Sequence, residues 1–155
     1  FTAASASMGY TDSGVYTDID DLGRYAQALA TSSLVTDDKR FEDALPTASD
    51  SPSWLTAAGG AIHAGTLVGQ YGKVPGYITA AFADRSSGLT VAVVLNNSAK
   101  DGSIGAYLAW ELAAIASKAP AASGEAVPEA GLPWTAEQYH EAIAAAAIAC
   151  AAPAE

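Results

Sequence analysis

The stretch "GYITAAFADRSSGLTVAVVLNN", residues 76–97, decides how the chain is read. Two runs rich in β-branched and aromatic residues flank "DRSSG", a cluster of turn formers, so a β-hairpin is predicted. Working back, "GGAIHAGTLVGQYG" at 59–72 is a further apolar run broken by glycines, joined to the hairpin through "KVPG". The spacing predicts three consecutive antiparallel strands, at about 60–71, 76–84 and 89–96.

Helices are predicted on both sides of this meander. In "SGVYTDIDDLGRYAQALATSSLV", Ile19, Leu22, Tyr25, Ala26 and Leu29 recur at helical spacing. Thr17 is placed to cap that helix, with Asp20 three residues on, where an acid favours the positive helix end. The helix is expected from about 18 to 30. A second capped start at Thr36 suggests a short helix to Leu45, and "PTASDSPSW" after it has loop chemistry. Beyond "NNSAKDG", a helix over about 103–117 carries Ile104, Leu108, Leu112 and Ile115 as its predicted sheet-facing stripe. The fold class is α+β, a three-stranded antiparallel meander with flanking helices.

Residues 119–133 are rich in Ala, Pro, Gly and Glu and read as a linker between a domain at 1–118 and a tail at 134–155. In the tail, Thr135 and Gln138 form a capping-box pattern. An alanine-rich helix there buries little and is expected to dock, if at all, through Trp134, Tyr139 and Ile143.

Composition excludes several functions. A net charge of −10 with seven scattered Lys and Arg argues against nucleic acid or anionic lipid. No charge-free apolar run approaches membrane-spanning length, and no secretory leader pattern opens the chain. Phe1 looks like a processed end or a cut through a longer protein. One cysteine, Cys150, is a free thiol or the partner of a cysteine elsewhere. Two histidines far apart, His63 and His140, make a zinc cage improbable chemistry, and no metal or cofactor is implied. Asp18, Asp20 and Asp21 are explained by the helix dipole rather than by a cation. Asn96 and Asn97 end a strand, where they suit bonds to loop backbone.

The order of these elements resembles the last part of serine hydrolases of the β-lactamase and D-alanyl-D-alanine carboxypeptidase superfamily, especially its class C-like members, which include esterases and peptidases. The resemblance covers roughly residues 12–117 and is most specific between Gly59 and Tyr77. In that superfamily one strand carries a His or Lys, a small residue and a Gly, followed by Pro-Gly and often an aromatic. Counting back from Pro75-Gly76 puts this motif at Gln70, Tyr71 and Gly72. Gln70 replaces the basic or imidazole position and Tyr71 the small one, while Gly72 is kept, where a side chain would obstruct substrate. The resemblance implies that the Lys73 N–H donates to an oxyanion hole. A rival register uses "HAGT", with His63 first, but leaves Pro75-Gly76 seven residues further along.

Neither Ser-x-x-Lys nor Tyr-x-Asn occurs in the sequence. The resemblance therefore implies the C-terminal portion of a secreted or cell-envelope hydrolase whose nucleophile lies on an N-terminal companion segment. Its substrate would be an amide or ester: a D-amino-acid peptide, a β-lactam or a small ester. Gln70, Tyr71, Gly72 and Lys73 are the candidate substrate-binding residues. His63 and Tyr16 are weaker candidates, His63 reading equally as a structural strand residue, while Tyr10 and Tyr16 read equally as packing beside a helix start. His140 reads as solvated. The alternative is a non-catalytic binding module that kept the sheet and lost the chemistry. The two readings differ at the sheet edge: a companion segment fills it in the first, and the chain's own tail covers it in the second.

Overall fold

In the computed structural model, residues 15–35, 39–119 and 131–146 are described. Tyr10, the proposed cap at Thr36, most of the linker and Cys150 lie outside them. Over the described residues the chain is α+β, with three helices and one six-stranded antiparallel sheet in sequential order.

Helix α1 spans Ile19–Ala30. Its cap is Asp18 rather than Thr17: the Asp21 N–H donates to Asp18 Oδ1 at 2.8 Å, and Asp21 also pairs with Arg24. The sheet comprises β1 (Leu45–Pro46), β2 (Leu55–Ala58), β3 (Ala61–Ala64), β4 (Leu67–Val74), β5 (Tyr77–Asp84) and β6 (Thr90–Leu95). Helix α2 is Ser103–Ala116 and α3 is Ala136–Ala145.

The three-stranded expectation was too small. The single strand expected over 60–71 is broken by Gly65, whose φ of +57° makes a two-residue turn between β3 and β4. Gly59 and Gly60, both at positive φ, make a second such turn between β2 and β3. Glycines that read as interruptions within a strand are the corners of two hairpins. Among the described residues, the stretch where a short helix was expected before Leu45 is not helical: 39–43 is a turn, with the Glu42 N–H on the Lys39 carbonyl, and Leu45 opens β1. The strands at 77–84 and 90–95 fall where expected.

Alternation along β4 and β5 divides the core into two layers. On one face Ala61, Val68, Ala81 and Ala83 pack under Ala26, Leu29 and Ala30 of α1. On the other, Leu67, Ala80, Phe82, Val91 and Val93 pack under Ala106, Ala109, Trp110 and Ala113 of α2. The stripe expected on α2 was misplaced, since Leu112 and Ile115 are 45% and 53% exposed. The true contact face is mostly alanine, which lets α2 lie close: a Cβ on Gly105 would stand 2.8 Å from Ile78 Cγ2.

The tail helix docks. Trp134 is buried, and its Nε1–H donates to the Trp110 carbonyl at 3.0 Å. Tyr139 lies against Trp110 and Tyr107, with centroids 5.2 and 5.4 Å apart. The capping box of Thr135 and Gln138 is formed. His140 is largely exposed but pairs with Glu111 at 3.0 Å. Among the described elements, α3 packs on α2 alone and does not cover the outer edge of β6.

Candidate functional site

Strand β4 changes character at its middle. Its first three residues, Leu67, Val68 and Gly69, pair with Ala64, His63 and Ile62 of β3 on one side and with β5 on the other. From Gln70 to Val74 it pairs only with β5 among the described strands. The Gly59-Gly60 turn ends β3 at Ala61 and carries the chain away.

The direction of the backbone groups along this open segment follows from the register. Pro75 and Gly76, the latter at φ +93°, form a two-residue turn with Pro at its first and Gly at its second central position, between the partners Val74 and Tyr77. In an antiparallel pair, alternate residues turn their N–H and C=O toward the partner strand and away from it. Val74 and Gly72 then face β5, while Lys73 and Tyr71 face the open edge. The Tyr71 N–H confirms this phase, because it donates outward to Gln70 Oε1 at 3.0 Å. The Lys73 N–H therefore points along the open edge.

Side chains alternate across the other axis. Tyr71 and Lys73 lie on the α2 face: the Lys73 Nζ donates to the Lys100 carbonyl at 2.9 Å, and both residues border Gly102. Burial, helped by the nearby Asp101 and Tyr107, raises the Tyr71 phenol above its ordinary pKa. The Pro75-Gly76 turn is fixed to the loop before α2 by the Gly76 N–H on Ser98 Oγ at 2.8 Å, and within that loop the Ala99 N–H donates to Asn97 Oδ1. Gln70 and Gly72 lie on the α1 face. There a cavity of about 350 Å³ opens between the helix residues Leu22, Tyr25, Ala26 and Leu29 and the strand residues Gln70 to Val74. A Cβ built on Gly72 meets nothing within 4 Å.

All four strand candidates thus border one cavity, though Tyr71 and Lys73 contribute backbone rather than side chain to its open edge. His63 and Tyr16 do not line it. His63 stands edge-on to Phe41 at 4.8 Å, where burial and then the charge of Arg85 lower its pKa. Tyr16 is exposed ahead of α1. Sequence reasoning missed the helix wall: Leu22, Tyr25 and Leu29 carry a helical period, which marks a buried face but does not show that part of it borders a gap.

Sequence reasoning also missed Asp84, the buried carboxylate at the end of β5. Burial alone would raise its pKa, but the Ser86 and Thr66 hydroxyls and the Ser87 and Ser86 N–H groups donate to it and hold it down at about 2. Asp84 closes the β5–β6 turn and ties it to the β3–β4 turn through Thr66. Its role is structural, at the end of the sheet far along β4 from Val74.

Among the described residues, no group of three or more His, Cys, Asp or Glu is placed to hold a metal ion. No helix among them is long and apolar enough to cross a membrane. No family model, curated protein or solved structure matches the chain.

Proposed function

We propose that this chain is the C-terminal, substrate-strand portion of a serine hydrolase that works through an acyl-enzyme, with the nucleophile on a companion segment. The observation that carries the reading is the open edge of Gln70–Val74, with the Lys73 N–H directed along it and a cavity beside it. An extended acyl substrate lying there completes the sheet by strand addition, and its carbonyl oxygen meets a fixed backbone donor. Gly72 leaves the cavity wall clear for a substrate side chain. The assignment to the β-lactamase and D,D-peptidase superfamily, and with it a secreted or envelope location, rests on the sequence resemblance.

The outer edge of β6 supports a missing companion. At the opposite end of the sheet, β1 is two residues long and contains Pro46, which blunts it against further pairing. β6 is six residues, "TVAVVL", without Pro, Gly or charge, and the tail helix lies elsewhere. A segment supplying two more strands fits that edge.

A second reading, a non-catalytic module that binds extended peptides, is favoured by Gln70 and Tyr71 in place of the expected motif residues and by the absence of Ser-x-x-Lys. Intact mass under native and then denaturing conditions separates the two, followed by reaction with a fluorescent β-lactam or activated ester. The hydrolase reading expects a second polypeptide, released on denaturation and acylated on a serine. A single 15.6 kDa species that binds extended peptides without acylation overturns it in favour of the module.

A further inference from the structure

The gap between β3 and β4 is already filled by an amide. Continuing the register past the last pair, Ile62 with Gly69, would set Ala61 opposite Gln70 and Gly60 opposite Tyr71. Instead the strands part, and the Gln70 carboxamide sits between them. Its Oε1 accepts from the Tyr71 N–H at 3.0 Å, and its Nε2–H donates to the Gly60 carbonyl at 3.3 Å. An acceptor on one side and a donor on the other is the arrangement that one trans peptide group presents to the two strands flanking it.

Resting on the open-edge reading above, we infer that the Gln70 side chain holds the place of an incoming peptide group, so that the site selects a secondary amide over an ester. The Tyr71 N–H is satisfied by any carbonyl. The Gly60 carbonyl is different: it needs a ligand N–H, and an ester oxygen offers none. A ligand that displaces Gln70 and supplies only acceptors leaves the exposed Gly60 oxygen to water and forgoes the one hydrogen bond that an amide ligand makes there, which sets the modest size of the discrimination. The cavity adds a second preference, because its helix wall of Leu22, Tyr25 and Leu29 presents no charge and the Lys73 ammonium is held on the opposite face. The ligand class is an extended peptide backbone carrying an uncharged side chain. Gln70 is a positioning residue that this ligand displaces.

The test uses the chain as it stands, with an acetylated and amidated tetrapeptide of Ala and Leu and a set in which each backbone N–H in turn is replaced by oxygen. Binding is read from the backbone amide resonances of residues 70–74. The expected result is that the parent shifts Tyr71 and Lys73, and that one ester member loses about five- to tenfold in affinity, the effect of one hydrogen bond. Every member binding alike, with the same shifts, would overturn the amide selection and leave the open-edge reading intact. No shift at 70–74 from any member overturns that reading, and the inference with it. Independently of ligand, Gln70→Ala is expected to speed Tyr71 amide exchange at least tenfold while improving the parent peptide's affinity about three- to tenfold. Unchanged Tyr71 exchange would show that the carboxamide does not occupy the gap.

Discussion

The two glycines of β4 stand three residues apart and do opposite things. A Cβ at Gly69 would fall 2.0 Å from the Ala81 carbonyl oxygen and 2.7 Å from Phe82 Cα, so the side chain is absent because the packing leaves no room. At Gly72 the same atom would meet nothing within 4 Å. One half of the strand, Leu67 to Gly69, is clamped between two neighbours and buried on both faces. The other half has, among the described strands, one neighbour and an open edge, with a cavity beside it. What this teaches is that the same residue type marks either the tightest or the loosest point of a sheet, and only the neighbours distinguish them.

Substitution at Gly69 gives the largest expected effect. Gly69→Ala forces β4 and β5 apart at the centre of the core, at a cost of about 3 kcal/mol or more. Chemical denaturation checks it, and a mutant as stable as the wild type would erase the distinction between the two glycines.

A somewhat smaller effect is expected at the clamped end of the strand, where Leu67 pairs with Asp84. Asp84→Ala strands the donors of Thr66, Ser86 and Ser87 and is expected to cost about 2–3 kcal/mol. The same carboxylate gives a pH signature. Its folded pKa of about 2 lies below the ordinary value of 3.8, so its contribution is complete above about pH 4 and is lost as pH falls through 2. The wild type should lose on the order of 2 kcal/mol across that window. In Asp84→Ala that portion of the acid dependence should vanish; equal slopes in the two proteins would show that Asp84 does not carry it.

The smallest effect on stability is expected at Gly72. Gly72→Val places a β-branched side chain in open space on a strand, changing stability by less than about 1 kcal/mol. It also fills the cavity mouth, so peptide-induced shifts at residues 70–74 should disappear. A Gly72→Val protein that binds extended peptides as well as the wild type would detach the cavity from the proposed site.

Much of this was legible from the residues. The β5–β6 hairpin announced itself through "DRSSG" between two β-rich runs, and α1 through its period. Gln70 to Lys73 were singled out as a group only through the resemblance, whose motif is counted back from Pro75-Gly76. The splitting of 60–71 into two strands was not read, because Gly65 looks the same in sequence whether a strand bulges or turns. The sheet-facing side of α2 was misjudged for a related reason: large apolar residues draw attention, yet the close contact is made by alanines. Gln70 could be placed by sequence, but its part as a bridge depends on where Gly60 ends up, which no local pattern records.

Amide hydrogen exchange along β4, residue by residue, tests the central claim most directly. With Gly72 and Val74 turned to β5 and Lys73 turned to a free edge, the account expects slow exchange at Gly72 and Val74 and exchange at least a hundredfold faster at Lys73, between them. Protection at Lys73 equal to that of its two neighbours would mean that the edge is already paired, and the proposed site would not exist.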